Sequence, residues 1–178
     1  MALDDAQRRV LRHMLAALTL SLAALAWAAI MGPAFLLPPV DSASPLIWAL
    51  TWDAGILACL ILAIGNLARH RFFTPADIDG SGLTGGTDRA HVLQAILQNT
   101  LEQAVIAVIA HLFWAAVMPF GAQAAIPVAA VLFVIGRICF AAGYAGGAGG
   151  RAFGFALTFY PTVVLTVVAF AWSIWRAV

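Results

Sequence analysis

The chain contains no lysine, a single glutamate (Glu102), two cysteines and few charges of either sign. Charged residues make up 10% of its 178 positions and nearly cancel at +1, while 63% of residues are hydrophobic. Soluble domains average about 45–50% apolar residues, so a water-soluble globule is excluded and an integral membrane protein is expected. No basic patch interleaved with aromatics is present, which excludes nucleic acid as a partner. Cys59 and Cys139 each sit inside an apolar run and read as small buried hydrophobes, neither a disulfide nor a metal pair. Every basic residue other than histidine is arginine; with abundant alanine, that bias suggests a GC-rich bacterial genome, and so the bacterial inner membrane.

What the chain does have is a series of long apolar runs. Met1 to His13 is short and polar, with Arg8, Arg9 and Arg12 directly ahead of an apolar run from Met14 to Leu37. That run is too long for a signal-peptide core, and no clear small-x-small cleavage site follows it, so a retained transmembrane helix is expected, closed by Gly32-Pro33 and Pro38-Pro39. A second span covers Pro45 to Leu67, with Trp48 and Trp52 where an interfacial aromatic belt would sit. The long hydrophilic connection, Ala68 to Arg89 with its run-in to residue 92, leads to a third span, Leu93 to Met118. A tight turn around Pro119-Phe120-Gly121 enters the fourth, Gln123 to Ala145, and the glycine-rich stretch Gly146 to Arg151 enters the fifth, Ala152 to Trp175. The fold class is therefore an all-α integral membrane bundle of five spans. Arg8, Arg9, Arg12, Arg69, Arg71, Arg89 and Arg151 fall at one end of it, whereas the other connections carry only Asp41. The positive-inside rule then puts the N-terminus in the cytoplasm and the C-terminus in the periplasm.

Polar groups run into the third span: Gln98, Asn99, Glu102 and Gln103 lie inside a membrane-length helix. A carboxylate at that depth costs several kcal/mol unless it is paired, hydrated or protonated, which makes Glu102 a functional-site candidate. The structural alternative is that Asn99 and Glu102 hydrogen-bond neighbouring helices. On the fourth span, Arg137, Phe140 and Tyr144 share a face. Arg137 and Glu102 both lie roughly 12 Å deep from the same end, so an ion pair between them is predicted. Arg151 stands at the start of the fifth helix, beside exposed N–H groups and the positive end of the dipole, an arrangement suited to an anion or thiolate. Asp53 and His111 lie at similar depth in the opposite half and are expected to pair structurally; His111 is half a turn out of phase with Glu102. Asp77 to Asp88 imitates a calcium loop, but Asp88 replaces the bidentate glutamate and Thr84 the apolar anchor. No metal site is expected there; the aspartates are expected to balance Arg69, Arg71 and Arg89.

Taken in order, Arg89-Ala90-His91 ahead of Asn99-Thr100-Leu101-Glu102, then Gly136-Arg137 with Tyr144, then Arg151 and Gly154 resemble the MAPEG family, membrane-associated proteins of eicosanoid and glutathione metabolism. The resemblance covers about Pro45 to Trp175 and includes the charged stretch Arg69-His70-Arg71-Phe72-Phe73-Thr74-Pro75-Ala76-Asp77. It implies a four-helix MAPEG-like core, residues 45–178, assembled as a homotrimer, with an N-terminal segment (1–13) and an additional transmembrane helix (14–37) in front. It implies that Asn99, Glu102 and Tyr144 contact glutathione and that Arg151 stabilises the glutathione thiolate; with the predicted ion pair, Arg137 is expected to fix Glu102 and to polarise a second substrate. Three positions depart from the glutathione-binding members: Ala95 replaces an arginine, Phe140 a tyrosine or histidine, and Asn66 a basic residue. The expected activity is that of a glutathione-dependent transferase or peroxidase-like enzyme, acting on a lipophilic electrophile that enters from the membrane lipids. The alternative is a non-catalytic trimeric scaffold or lipid-binding member. A channel would need a continuous polar face, which Asp53 and His111 do not supply.

Overall fold

The computed structural model describes residues 3–39, 44–80 and 82–178; Asp41, expected as the charge of the first connection, lies outside them. The described residues form five α-helices and no strand: α1 (Asp5–Met31), α2 (Pro45–Phe73), α3 (Asp88–Val117), α4 (Ala125–Gly143) and α5 (Gly147–Ala177), joined through short 3-10 turns. The all-helical membrane bundle of the sequence reading is what the chain adopts. Its helix ends follow local chemistry. Asp4 and Gln7 close a reciprocal capping box, with Gln7 N–H donating to Asp4 Oδ1 at 2.7 Å and Asp4 N–H to Gln7 Oε1 at 3.0 Å. That box starts α1 nine positions before Met14, so Asp5 to His13 of the polar segment expected ahead of the first span form its opening turns. Ser44 caps α2 ahead of Pro45, and Thr87 caps α3, its hydroxyl accepting from Ala90 N–H at 3.2 Å.

The last helical run, Phe120–Ala177, is 58 residues long, about 87 Å if straight, far beyond a hydrocarbon core of about 30 Å. It folds back between Gly143 and Gly147, where Gly147 takes φ +68°, and so makes two spans. The returning helices touch backbone to backbone. A Cβ on Gly154 would overlap Phe140 N and lie 2.6 Å from Gly136 O; one on Gly136 would lie 2.7 Å from Thr158 Cγ2. Small residues at such crossings let dispersion contacts form where lipid offers no hydrophobic drive to associate.

α5 occupies the centre, packed against α4, α1 and α3, while α2 packs on α3 and α4. Leu25, Trp114, Ile126 and Leu165 fill the bundle at the end far from the α2–α3 loop, and Ala17, Leu132, Ala156 and Leu157 join α1, α4 and α5. Ile61, Leu62, Ile109, Ile138, Val167 and Phe170 stay exposed on the outside, as lipid-facing residues do.

Candidate functional site

Arg137 lies on α4 with 5% of its surface exposed. Its Nη1 donates to Asn99 Oδ1 on α3 at 2.9 Å, and its guanidinium stands 4.2 Å from the centre of the Phe140 ring. Nε and Nη2 have no hydrogen-bond partner among the described residues. The predicted Glu102–Arg137 pair does not form. Glu102 is exposed on the outer face of α3 and accepts from Gln98 Nε2 at 3.0 Å. The reason is geometric: equal depth does not fix rotation about the helix axis, and the long arginine stem reaches Asn99, nearly one turn closer to the loop end, which is the snorkelling direction.

One turn further along α4, Phe140 and Tyr144 meet edge to face with ring centres 5.5 Å apart. Arg151, in the second turn of α5, lays its guanidinium 4.7 Å from the Tyr144 ring centre. Asn99, Tyr144 and Arg151 thereby open onto one cavity of 380 Å³. Its apolar wall comes from Ala95, Phe140 and Phe155 and, from α1, Val10 and Met14. The structure thus brings together Asn99, Tyr144 and Arg151, places Arg137 behind Asn99, and leaves Glu102 outside. The α1 residues were missed from sequence; their seven- and eleven-residue spacing from Leu3 was the available signal, since it puts them on one face, but nothing local says which helix that face meets.

α1 is also tied to the start of α5. His13 donates from Nδ1 to the Gly149 carbonyl at 2.7 Å, and Arg9 packs so closely that a Cβ on Gly149 would lie 2.6 Å from its Cδ. The glycine-rich first turn of α5, just ahead of Arg151, is therefore held from one side by α1.

In the opposite half, His111 donates from Nδ1 to Asp53 Oδ1 at 2.5 Å, joining α3 to α2 with both side chains buried. This is the pair expected from their matching depth. The loop differs from expectation. Asp77 is occupied by Thr87 and His70 rather than by arginines: Oδ1 accepts from Thr87 N–H at 2.7 Å, and Oδ2 from the Thr87 hydroxyl at 2.7 Å and His70 Nε2 at 2.8 Å. The Thr87 hydroxyl, foremost among these donors, holds the Asp77 carboxyl below the usual aspartate range. Cys59 and Cys139 are free thiols.

A lipid-facing five-helix bundle, with a cavity walled by an asparagine, a tyrosine and an arginine from the second turn of the last helix, defines an integral membrane protein with a candidate small-molecule site. The chain belongs to the MAPEG family, whose model matches residues 14–171, from within α1 to within α5. Members of this family generally use glutathione and are generally trimeric, and membership supports a membrane role of the glutathione-related or eicosanoid-metabolism type. No curated protein and no solved structure matches the chain.

Proposed function

We propose that the protein is a glutathione-dependent transferase or peroxidase-like enzyme acting on a lipophilic electrophile that reaches the site from the bilayer. The observation that carries this reading is the convergence of Asn99, Tyr144 and Arg151 on one 380 Å³ cavity, a volume within the range of about 300–1,000 Å³ usual for small-molecule sites. The donor set suits glutathione: an anionic, amide-bearing tripeptide meets one cation in the wall, an amide side chain and a phenol. Bound glutathione supplies a sulfur nucleophile that is reactive as the thiolate.

The residues then divide the work. Arg151, in the second turn of α5, stabilises negative charge on sulfur through its guanidinium and raises the fraction ionised at neutral pH. Asn99 and Tyr144 orient the tripeptide by hydrogen bonding, and Arg137 fixes the Asn99 side chain. Val10, Met14 and Phe155 exclude water and offer apolar surface to the second substrate. Gln98 and Glu102 are exposed at membrane depth, a position too costly to leave against lipid. A homotrimer whose neighbouring subunit covers that face of α3, and brings it towards the ligand, resolves this cost. In the same proposal α1 is an addition to the α2–α5 core, and the loop end of the bundle faces the bacterial cytoplasm.

The test is turnover of glutathione with chlorodinitrobenzene in a detergent-purified preparation. Wild type is expected to show saturable activity, and Arg151→Ala to lose most of it; an Arg151→Ala variant as active as wild type would refute the assignment. A non-catalytic member is the second reading, favoured by Ala95 and Phe140, which put apolar surface in the cavity wall. Saturable thiol-dependent turnover rejects it.

A further inference from the structure

A second polar cavity opens where α2 leaves the bilayer. α2 is 29 residues long, about 43 Å, whereas a hydrocarbon core takes about 20 residues. Counted from Trp48, which with Trp52 marks the far interface at an edge-to-face distance of 5.8 Å, about 20 residues bring the helix to Leu67. Ala68 to Phe73 therefore stands at headgroup level while still helical.

The cavity at that level has a volume of 280 Å³. Arg69 from α2 and Arg89 from the first turn of α3 reach it from two elements, with Asn66 and Thr74 between them and Phe73 and Leu93 as its apolar side. Both arginines are exposed, and neither hydrogen-bonds or ion-pairs with a described residue. Neighbouring groups are otherwise engaged: Arg71 donates to Gln94 Oε1 at 3.2 Å, and the Asp77 carboxylate is taken by Thr87 and His70. Asp88 is exposed and does not line the cavity. The result is an uncompensated pair of cations around a space large enough for a phosphate. Beside it, Phe72 and Phe73 are 72% and 73% exposed and meet edge to face at 5.0 Å. Aromatic surface left bare at this depth is suited to the glycerol and upper acyl region of a lipid.

We propose that this cavity binds the phosphodiester headgroup of an anionic phospholipid, Arg69 and Arg89 contacting the phosphate and the acyl chains descending past Phe73 and Leu93. Basic pockets between transmembrane helices recognise such headgroups by charge and shape. A free phosphate would satisfy the two arginines equally but would leave the phenylalanines bare, which is why the lipid is the favoured source. The site shares no lining residue with the Arg151 cavity, and Arg69 and Arg89 have no part in the glutathione assignment.

The test uses the full chain in an uncharged detergent. Retention of dioleoyl phosphatidylglycerol and dioleoyl phosphatidylcholine is measured by native mass spectrometry, with inorganic phosphate as competitor. Phosphatidylglycerol is expected to be retained at least fivefold over phosphatidylcholine. That preference should vanish in R69Q/R89Q and persist in R8Q/R12Q, which removes the same charge elsewhere. Melting by tryptophan fluorescence checks that each variant is folded, and the single variants carry the test if the pair does not fold. Equal retention of the two lipids, or full retention by the folded R69Q/R89Q variant, overturns the proposal. Displacement of phosphatidylglycerol by millimolar phosphate assigns the cavity to a soluble anion and overturns the lipid.

Discussion

Arg137 and Asn99 make a double-mutant cycle the sharpest test of how the polar site is built. Asn99 Oδ1 is the hydrogen-bonding partner of a guanidinium that is 5% exposed and otherwise has only the Phe140 face. Asn99→Leu removes one charge-assisted hydrogen bond and leaves the cation buried, at a cost of about 1.5–3 kcal/mol. Arg137→Met removes the cation together with its desolvation penalty but strands the Asn99 carboxamide, costing about 1–3 kcal/mol. With both replaced by apolar residues neither penalty remains, so the double variant is expected within about 1 kcal/mol of wild type, as for other buried polar pairs exchanged for hydrophobes. The coupling energy is then at least about 1.5 kcal/mol. Tryptophan fluorescence during reversible unfolding in mixed micelles containing dodecyl sulfate measures each corner of the cycle. Glu102→Gln replaces Asn99→Leu in a parallel cycle, which is expected to show coupling below about 0.5 kcal/mol. Additive effects for Asn99 and Arg137, or strong coupling of Arg137 to Glu102, would refute the geometry described here.

Other parts of the account are open to equally direct checks. Gly154→Ala is expected to destabilise the bundle by about 1–3 kcal/mol, because its Cβ meets backbone atoms of Phe140 and Gly136 that cannot swing aside; unfolding in mixed micelles reads it, and a neutral result contradicts the close α4–α5 crossing. Asp53→Ala leaves the buried His111 donor without its acceptor and should cost about 1–3 kcal/mol, whereas Asp53→Asn, which keeps an acceptor, should cost clearly less; equal losses would show that the hydrogen bond is not what matters. Because the folded Asp77 carboxyl sits below its ordinary value of 3.8, chiefly through the Thr87 hydroxyl, its contribution is present above that value and fades as pH falls below it. Protection factors for hydrogen exchange in the loop from Thr74 to Ala90, corrected for the intrinsic rate at each pH, should therefore fall on acidification below about pH 4 in wild type, and Asp77→Asn should abolish that fall.

The helices were legible because their signal is local. Apolar runs and the Gly32-Pro33 and Met118-Pro119 stops each mark a boundary within the chain, and the structure places the five helices over them; the glycine-rich stretch before Arg151, expected as a turn, is instead the opening of α5, with the break at Tyr144–Gly146. The opening of α1 escaped because a capping box makes helix from residues whose hydropathy resembles a tail. Depth was legible too, since residue counts convert to distance along a helix: that is why Asp53 and His111 were matched correctly. Rotation was not. Glu102 and Asn99 are three residues apart on one helix, and only packing decides which of them faces α4. Nor does periodicity say which neighbour a face will meet, which left Val10 and Met14 out of the cavity they wall.

The most direct measurement of the central claim is the ultraviolet thiolate absorbance of glutathione titrated into the detergent-purified protein, with binding heat followed in parallel. The account predicts a saturable thiolate signal in wild type that Arg151→Ala abolishes. Binding without ionised sulfur, or no binding up to millimolar glutathione, would contradict it.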